Sequence, residues 1–110
     1  MNREVTMSPQ LKLPNKTIFI SANSKEPIQE RLENPDFTSM QKFVGGWVET
    51  FVFRYQNQVA TMVCNEEGLI RGLPRNQRAT ELVAEWARKY GLKHPQVIVG
   101  NVIVLLGFHV

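Results

Sequence analysis

WVETFVFRYQNQVATMVC, residues 47–64, is the stretch on which the fold turns. Trp47, Glu49, Phe51, Phe53 and Tyr55 alternate with Val48, Thr50, Val52 and Arg54, so the two sets take opposite faces of an extended strand. A short polar break, Gln56-Asn57-Gln58, leads into a second strand-like run from Val59 to Cys64. Two such runs joined so briefly predict an antiparallel hairpin. Asn65-Glu66-Glu67-Gly68 reads as a tight turn, since asparagine folds its side chain onto the backbone and glycine accepts positive φ. Leu69 and Ile70 are expected to begin another short strand.

Upstream of the hairpin the period is helical. Phe37, Met40, Phe43 and Val44 fall on one face, Asn34 or Asp36 offers the N-cap, and Gly45-Gly46 ends the helix. Asn23 to Asn34 is polar, contains Pro27, and reads equally as a loop or a short surface helix. Thr17 to Ala22 is β-branched and aromatic, which predicts a strand. Residues 1–16 lack periodicity and read as a flexible arm, leaving 17–110 as one domain.

Downstream, Ala79, Leu82, Val83, Trp86, Ala87 and Tyr90 form a broad apolar helical face, with Asn76 as N-cap and Gly91 as the stop. Glu81 and Glu85 come early in this helix and Arg88 and Lys89 late, as its dipole favours. Val97 to Leu106 is nearly free of polar residues. It reads as a central strand, or as two short strands bent at Gly100-Asn101. The expected fold is α+β, a small mostly antiparallel sheet of three to five strands with two helices on one face.

Composition narrows the functional classes. A chain of 110 residues, 43% apolar and 21% charged, suits one folded domain. The charge of +3 is unevenly spread, at +1 over residues 1–34, −2 over 35–70 and +4 over 71–110. The basic last third suits an anionic partner and keeps a nucleic-acid-binding module as the alternative reading. Cys64 is the only cysteine, which excludes an intramolecular disulfide and a multi-cysteine zinc site. Neither a signal peptide nor a membrane helix is expected, and the cytoplasm is the natural compartment.

Few residues suggest catalysis. His94 and His109 stand outside any motif, and Glu66-Glu67 reads as a solvated turn. The aromatic stripe from Trp47 to Tyr55 could stack bases, but it lacks interleaved cations and reads as core. Arg71, Arg75 and Arg78 surround the start of the second helix, where positive charge opposes the dipole. Guanidinium groups beside free helix amides suit a phosphate or carboxylate. The candidate ligand-binding residues are therefore Arg71, Arg75, Asn76 and Arg78, with Asn65 and Glu66 from the preceding turn. No catalytic residue, metal or cofactor is expected.

Three glycine-centred motifs occur in series. They are Gln41-Lys42-Phe43-Val44-Gly45-Gly46-Trp47-Val48-Glu49, the run from Val63 through Asn65-Glu66-Glu67-Gly68 and Gly72-Leu73-Pro74-Arg75-Asn76 to Thr80, and Ile98-Val99-Gly100-Asn101-Val102-Ile103-Val104. In this order they resemble a family of small domains of unknown function found in bacteriophages, plasmids and their bacterial hosts. The resemblance spans residues from about 40 to 106. It implies a mobile-element accessory protein, one that blunts a host defence; joined to the arginine cluster, the reading is a protein that binds an anionic small molecule, such as a nucleotide, or a host protein. It implies no reaction.

Overall fold

Val102 to Leu106 is buried at every position, because this strand lies at the centre of the sheet with a helix-bearing layer on each side. The structure, a computed structural model, describes residues 16–92 and 97–107. In chain order the elements are β1 (Lys16–Ile20), β2 (Gln29–Arg31), α1 (Phe37–Val44), β3 (Val48–Tyr55), β4 (Gln58–Asn65), α2 (Gln77–Lys89) and β5 (Val102–Leu106). The five strands run in the order β2-β1-β5-β4-β3, every neighbour antiparallel. The α+β architecture with two helices is the expected one. Lys16, expected to end a flexible arm, is the first residue of β1; the rest of that arm, and the readings of His94 and His109, lie outside the described residues.

The helices, however, take opposite faces of the sheet instead of sharing one. Alternation along the strands explains this. Ile18, Ile20, Phe53, Met62, Val102, Val104 and Leu106 form one core with Ala79 and Val83 of α2. The intervening residues Phe19, Val63, Ile103 and Leu105 pack on Met40, Phe43 and Val44 of α1. A central strand apolar at every position has two faces to bury, and one helix layer covers only one.

Both helix starts follow the capping chemistry. Asp36 Oδ1 accepts from the Ser39 N–H at 2.7 Å, and this backbone bond, with help from the Ser39 hydroxyl, holds the carboxyl below its ordinary range. Gly45 closes α1 in the left-handed conformation. The segment from Asn23 to Asn34 is neither a plain loop nor a helix, since it carries β2, a three-residue edge strand against β1. Leu69 and Ile70 do not begin a strand; they lie in a multiple turn.

The hairpin forms as expected, but its connection is one residue shorter than the Gln56-Asn57-Gln58 break, because Tyr55 pairs with Gln58 and only Gln56 and Asn57 lie between. Both connecting residues have positive φ, 52° and 64°, the signature of a type I′ turn. Glutamine suits that conformation poorly. Changing Gln56→Asn together with Asn57→Gly should therefore stabilise the fold by about 1 kcal/mol. A urea titration should show a higher midpoint with an unchanged slope; a lower midpoint would show that the native pair contributes packing the turn geometry does not reveal.

Candidate functional site

The segment from Asn65 to Asn76 connects β4 to α2, and its own main chain folds it. Gly68 N–H donates to Asn65 O, Arg71 N–H to Glu67 O, Gly72 N–H to Leu69 O and Leu73 N–H to Gly68 O, at 2.9 to 3.2 Å. Asn65 begins it as an Asx turn. Its buried side chain accepts from Glu67 N–H at 2.8 Å and donates to Val44 O at 3.1 Å. The far end is fastened by Gly100 N–H to Pro74 O and Asn76 N–H to Ile98 O, at 2.7 and 2.8 Å.

The glycines mark where these segments touch. A Cβ on Gly68 would lie 2.8 Å from Val99 Cγ2, and one on Gly100, whose φ is +77°, 2.9 Å from Leu73 Cδ1. The three glycine-centred segments are thus packed against one another at one end of the sheet, a convergence that spacing alone could not reveal.

Each candidate residue now has a place. Asn76 is fully buried; its Oδ1 caps α2 by accepting from Ala79 N–H at 3.0 Å, and its Nδ2 donates to Ile20 O and Gly100 O at 3.0 and 2.9 Å. Arg78 donates to Glu26 O at 2.7 Å, Ser21 O at 2.8 Å and Asn23 O at 3.0 Å. Arg71 reaches the opposite way, to Gly45 O at 3.0 Å. Arg75 is exposed and its main chain bridges to Val99. Glu66 is exposed, and its N–H is bonded to Trp47 O. The structure therefore turns Arg71 and Arg78 towards different main-chain segments, and Asn65 and Asn76 spend their amides inside the fold.

Between its charged flanks, exposed Glu66 and Glu67 on one side and Arg71 on the other, the turn offers apolar side chains to solvent. Leu69 is 75% exposed and Ile70 88%, with Trp47 66% exposed at the start of β3, the strand beside β4. A cleft of about 390 Å³ lies between the turn and Val97–Val99, lined also by Glu49, Cys64 and Glu66. Burial, then the charge of Glu49, pushes the Cys64 thiol up to about 11, so it stays protonated at neutral pH. A second groove, about 570 Å³, runs between β2 and α1, where Arg31 lies over the Phe19 ring at 4.9 Å. It mixes Arg31 and Lys42 with Glu33 and Asp36, so neither sign of charge dominates.

A family model described as a domain of unknown function (DUF3846) matches residues 16–107. The chain belongs to this family. The match starts at the first residue of β1 and ends one residue after β5, so the DUF3846 unit is the whole five-stranded sheet with both helices. No curated protein matches the chain, and no solved structure does.

Other chemistry on this DUF3846 domain is sparse. Among the described residues no three of His, Cys, Asp and Glu gather as a metal site would require. Among the same residues no helix is long and apolar enough to cross a membrane. The aromatic stripe is core from Phe51 to Tyr55 but not at Trp47, which is exposed. Phe53 is buried with its ring 6.2 Å from that of Trp86 on α2, and Phe51 and Tyr55 are half-buried against the same cluster.

Proposed function

We propose that this DUF3846 domain is a binding protein whose partner is another protein, engaged through the turn from Glu66 to Pro74. One observation carries the reading. Leu69 and Ile70 are exposed at 75% and 88% on a turn fixed by its own backbone hydrogen bonds. Large apolar side chains held rigidly in water contribute little to folding, and contiguous exposed apolar surface favours association. A preformed turn also loses little conformational freedom on binding.

Glu66 and Glu67 edge the apolar tip on one side and Arg71 and Arg75 on the other, so the partner surface is an apolar pocket with groups of both charges around it. The motif resemblance to phage and plasmid domains supplies the setting, a mobile-element accessory protein acting on a host protein in the bacterial cytoplasm. Blunting a host defence is the role that setting suggests. An anionic small molecule is the weaker reading, because Asn65, Asn76 and Arg78 already bond to the fold itself.

Leu69→Asp with Ile70→Asp should leave stability within about 0.5 kcal/mol, since both side chains are exposed. A photo-crosslinker at position 70 should trap a discrete host protein in bacterial lysate, whereas one at Thr38 on exposed α1 surface should not. The aspartate pair should abolish capture of that same protein when the crosslinker is moved to position 47. Crosslinks only to nucleic acid, lost steeply with salt, would replace this reading with the nucleic-acid one. Capture unaffected by the aspartate pair would remove the turn as the site.

A further inference from the structure

The two edges of the sheet are built differently. β2, at one edge, has three residues, Gln29, Glu30 and Arg31, all polar and exposed. Short, charged edges resist pairing with other chains. β3, at the other edge, runs for eight residues without proline, and its register with β4 is unbroken by any bulge. Among the described residues nothing pairs with its outer side.

The hairpin register fixes which groups face outward. Tyr55 and Gln58 flank a two-residue turn and so exchange hydrogen bonds, as do alternate pairs back along the ladder through Phe53, Phe51 and Glu49. The Glu66 N–H bond to Trp47 O continues the same series. The N–H and C=O groups of Val48, Thr50, Val52 and Arg54 therefore point away from β4. Their side chains share the face on which α1 sits, but α1 covers only the Val48 end. Val52 is left 60% exposed and Val59 on β4 54%, with Thr50 and Arg54 also exposed.

We infer that β3 pairs antiparallel with β3 of a second copy of this chain, making one ten-stranded sheet across a two-fold axis at Phe51. This register sets Thr50 against Val52 of the second copy and Val48 against Arg54, so all four outward-facing residues pair with one another. It places β-branched side chains opposite each other on the uncovered face, a favourable cross-strand combination. Charge supports it as well. Registers centred on Glu49 or Arg54 would oppose like charges, whereas here Glu49 meets Phe53 and Arg54 meets Val48. Registers centred on Thr50, Val52 or Phe53 avoid like charges too, but only the one centred on Phe51 pairs all four outward-facing residues with one another.

Sedimentation of the full chain should show a monomer–dimer equilibrium, and the amides of Thr50 and Val52 should be protected from exchange in the dimer only. Thr50→Lys with Val52→Lys should weaken dimerisation by about tenfold or more, because like charges then face each other across the axis. Thr50→Lys with Val52→Glu should restore it, since each introduced cation then opposes an introduced anion. Both pairs replace exposed side chains, and thermal melting should confirm that each variant folds. A wild-type chain that stays monomeric at all accessible concentrations overturns the inference. So does a dimer indifferent to the lysine pair, or one lost equally in both variants. Protection of the two edge amides in a monomer would mean that the chain covers this edge with a segment of its own, and would likewise overturn it.

Discussion

Asn76→Ala should cost about 3–5 kcal/mol, a large part of the stability of a domain this size. The side chain has two separate tasks. Its oxygen caps α2, which alone is worth about 1 kcal/mol. Its amide donates to Ile20 O at the end of β1 and Gly100 O before β5, tying the start of the helix to two central strands. Removing the amide strands both carbonyls in a fully buried place, at about 1–3 kcal/mol each. Asn76→Asp separates the tasks. Aspartate caps a helix as well as asparagine does, so a capping role alone predicts a nearly silent change. The tie predicts a loss at least as large as that of alanine, because an ionised carboxylate would face two carbonyl oxygens. Denaturant titration of both variants at neutral pH distinguishes the outcomes, and a loss below about 1 kcal/mol for aspartate would leave the cap as the whole explanation.

The fate of Asn76 illustrates what the sequence could and could not disclose. Its position before an amphipathic run made it legible as an N-cap, because capping depends on neighbours three residues away. Its bonds to Ile20 and Gly100 span 56 and 24 residues, and no local pattern encodes them. The hairpin was legible for the same local reason, but its register was not, since polar Gln58 reads as part of the break and only its pairing with Tyr55 makes it a strand residue. The opposite placement of the helices was partly written in the apolar run of β5, which has no polar face to turn outward. β2 was hidden: three polar residues in a charged segment carry no alternation, and only pairing with β1 makes them a strand. The candidate site divides likewise. Arg71, Arg75 and Arg78 were visible as a charge cluster, but the carbonyls that orient two of them lie in distant turns. Leu69 and Ile70 read as strand residues because apolar pairs usually seek a core, and their exposure follows from the turn's internal hydrogen bonds.

Arg78 gives the second large effect. Arg78→Met should destabilise by about 2 kcal/mol, whereas Arg75→Gln should stay within about 0.5 kcal/mol. Methionine retains much of the aliphatic stem, so the difference isolates the guanidinium. Its two terminal nitrogens hold Ser21 O, Asn23 O and Glu26 O, three carbonyls of the connection between β1 and β2. A planar cation with several fixed donors suits this task, and lysine, with a single nitrogen, would serve it poorly. Two considerations keep the cost below the sum of three charge-assisted bonds. Asn23 and Glu26 are exposed, so water takes over their carbonyls once the arginine is gone. The Arg78 Nε–H is buried without a hydrogen-bond partner among the described residues, a penalty that the substitution relieves. The loss should also be local. Hydrogen exchange at residues 22–28 should accelerate more than in β4 or β5, because the arginine holds the connection and not the central strands. If Arg78→Met instead leaves both the midpoint and that exchange pattern unchanged, the guanidinium does not organise the connection and is available to a ligand. The anion-binding reading would then regain its strongest residue.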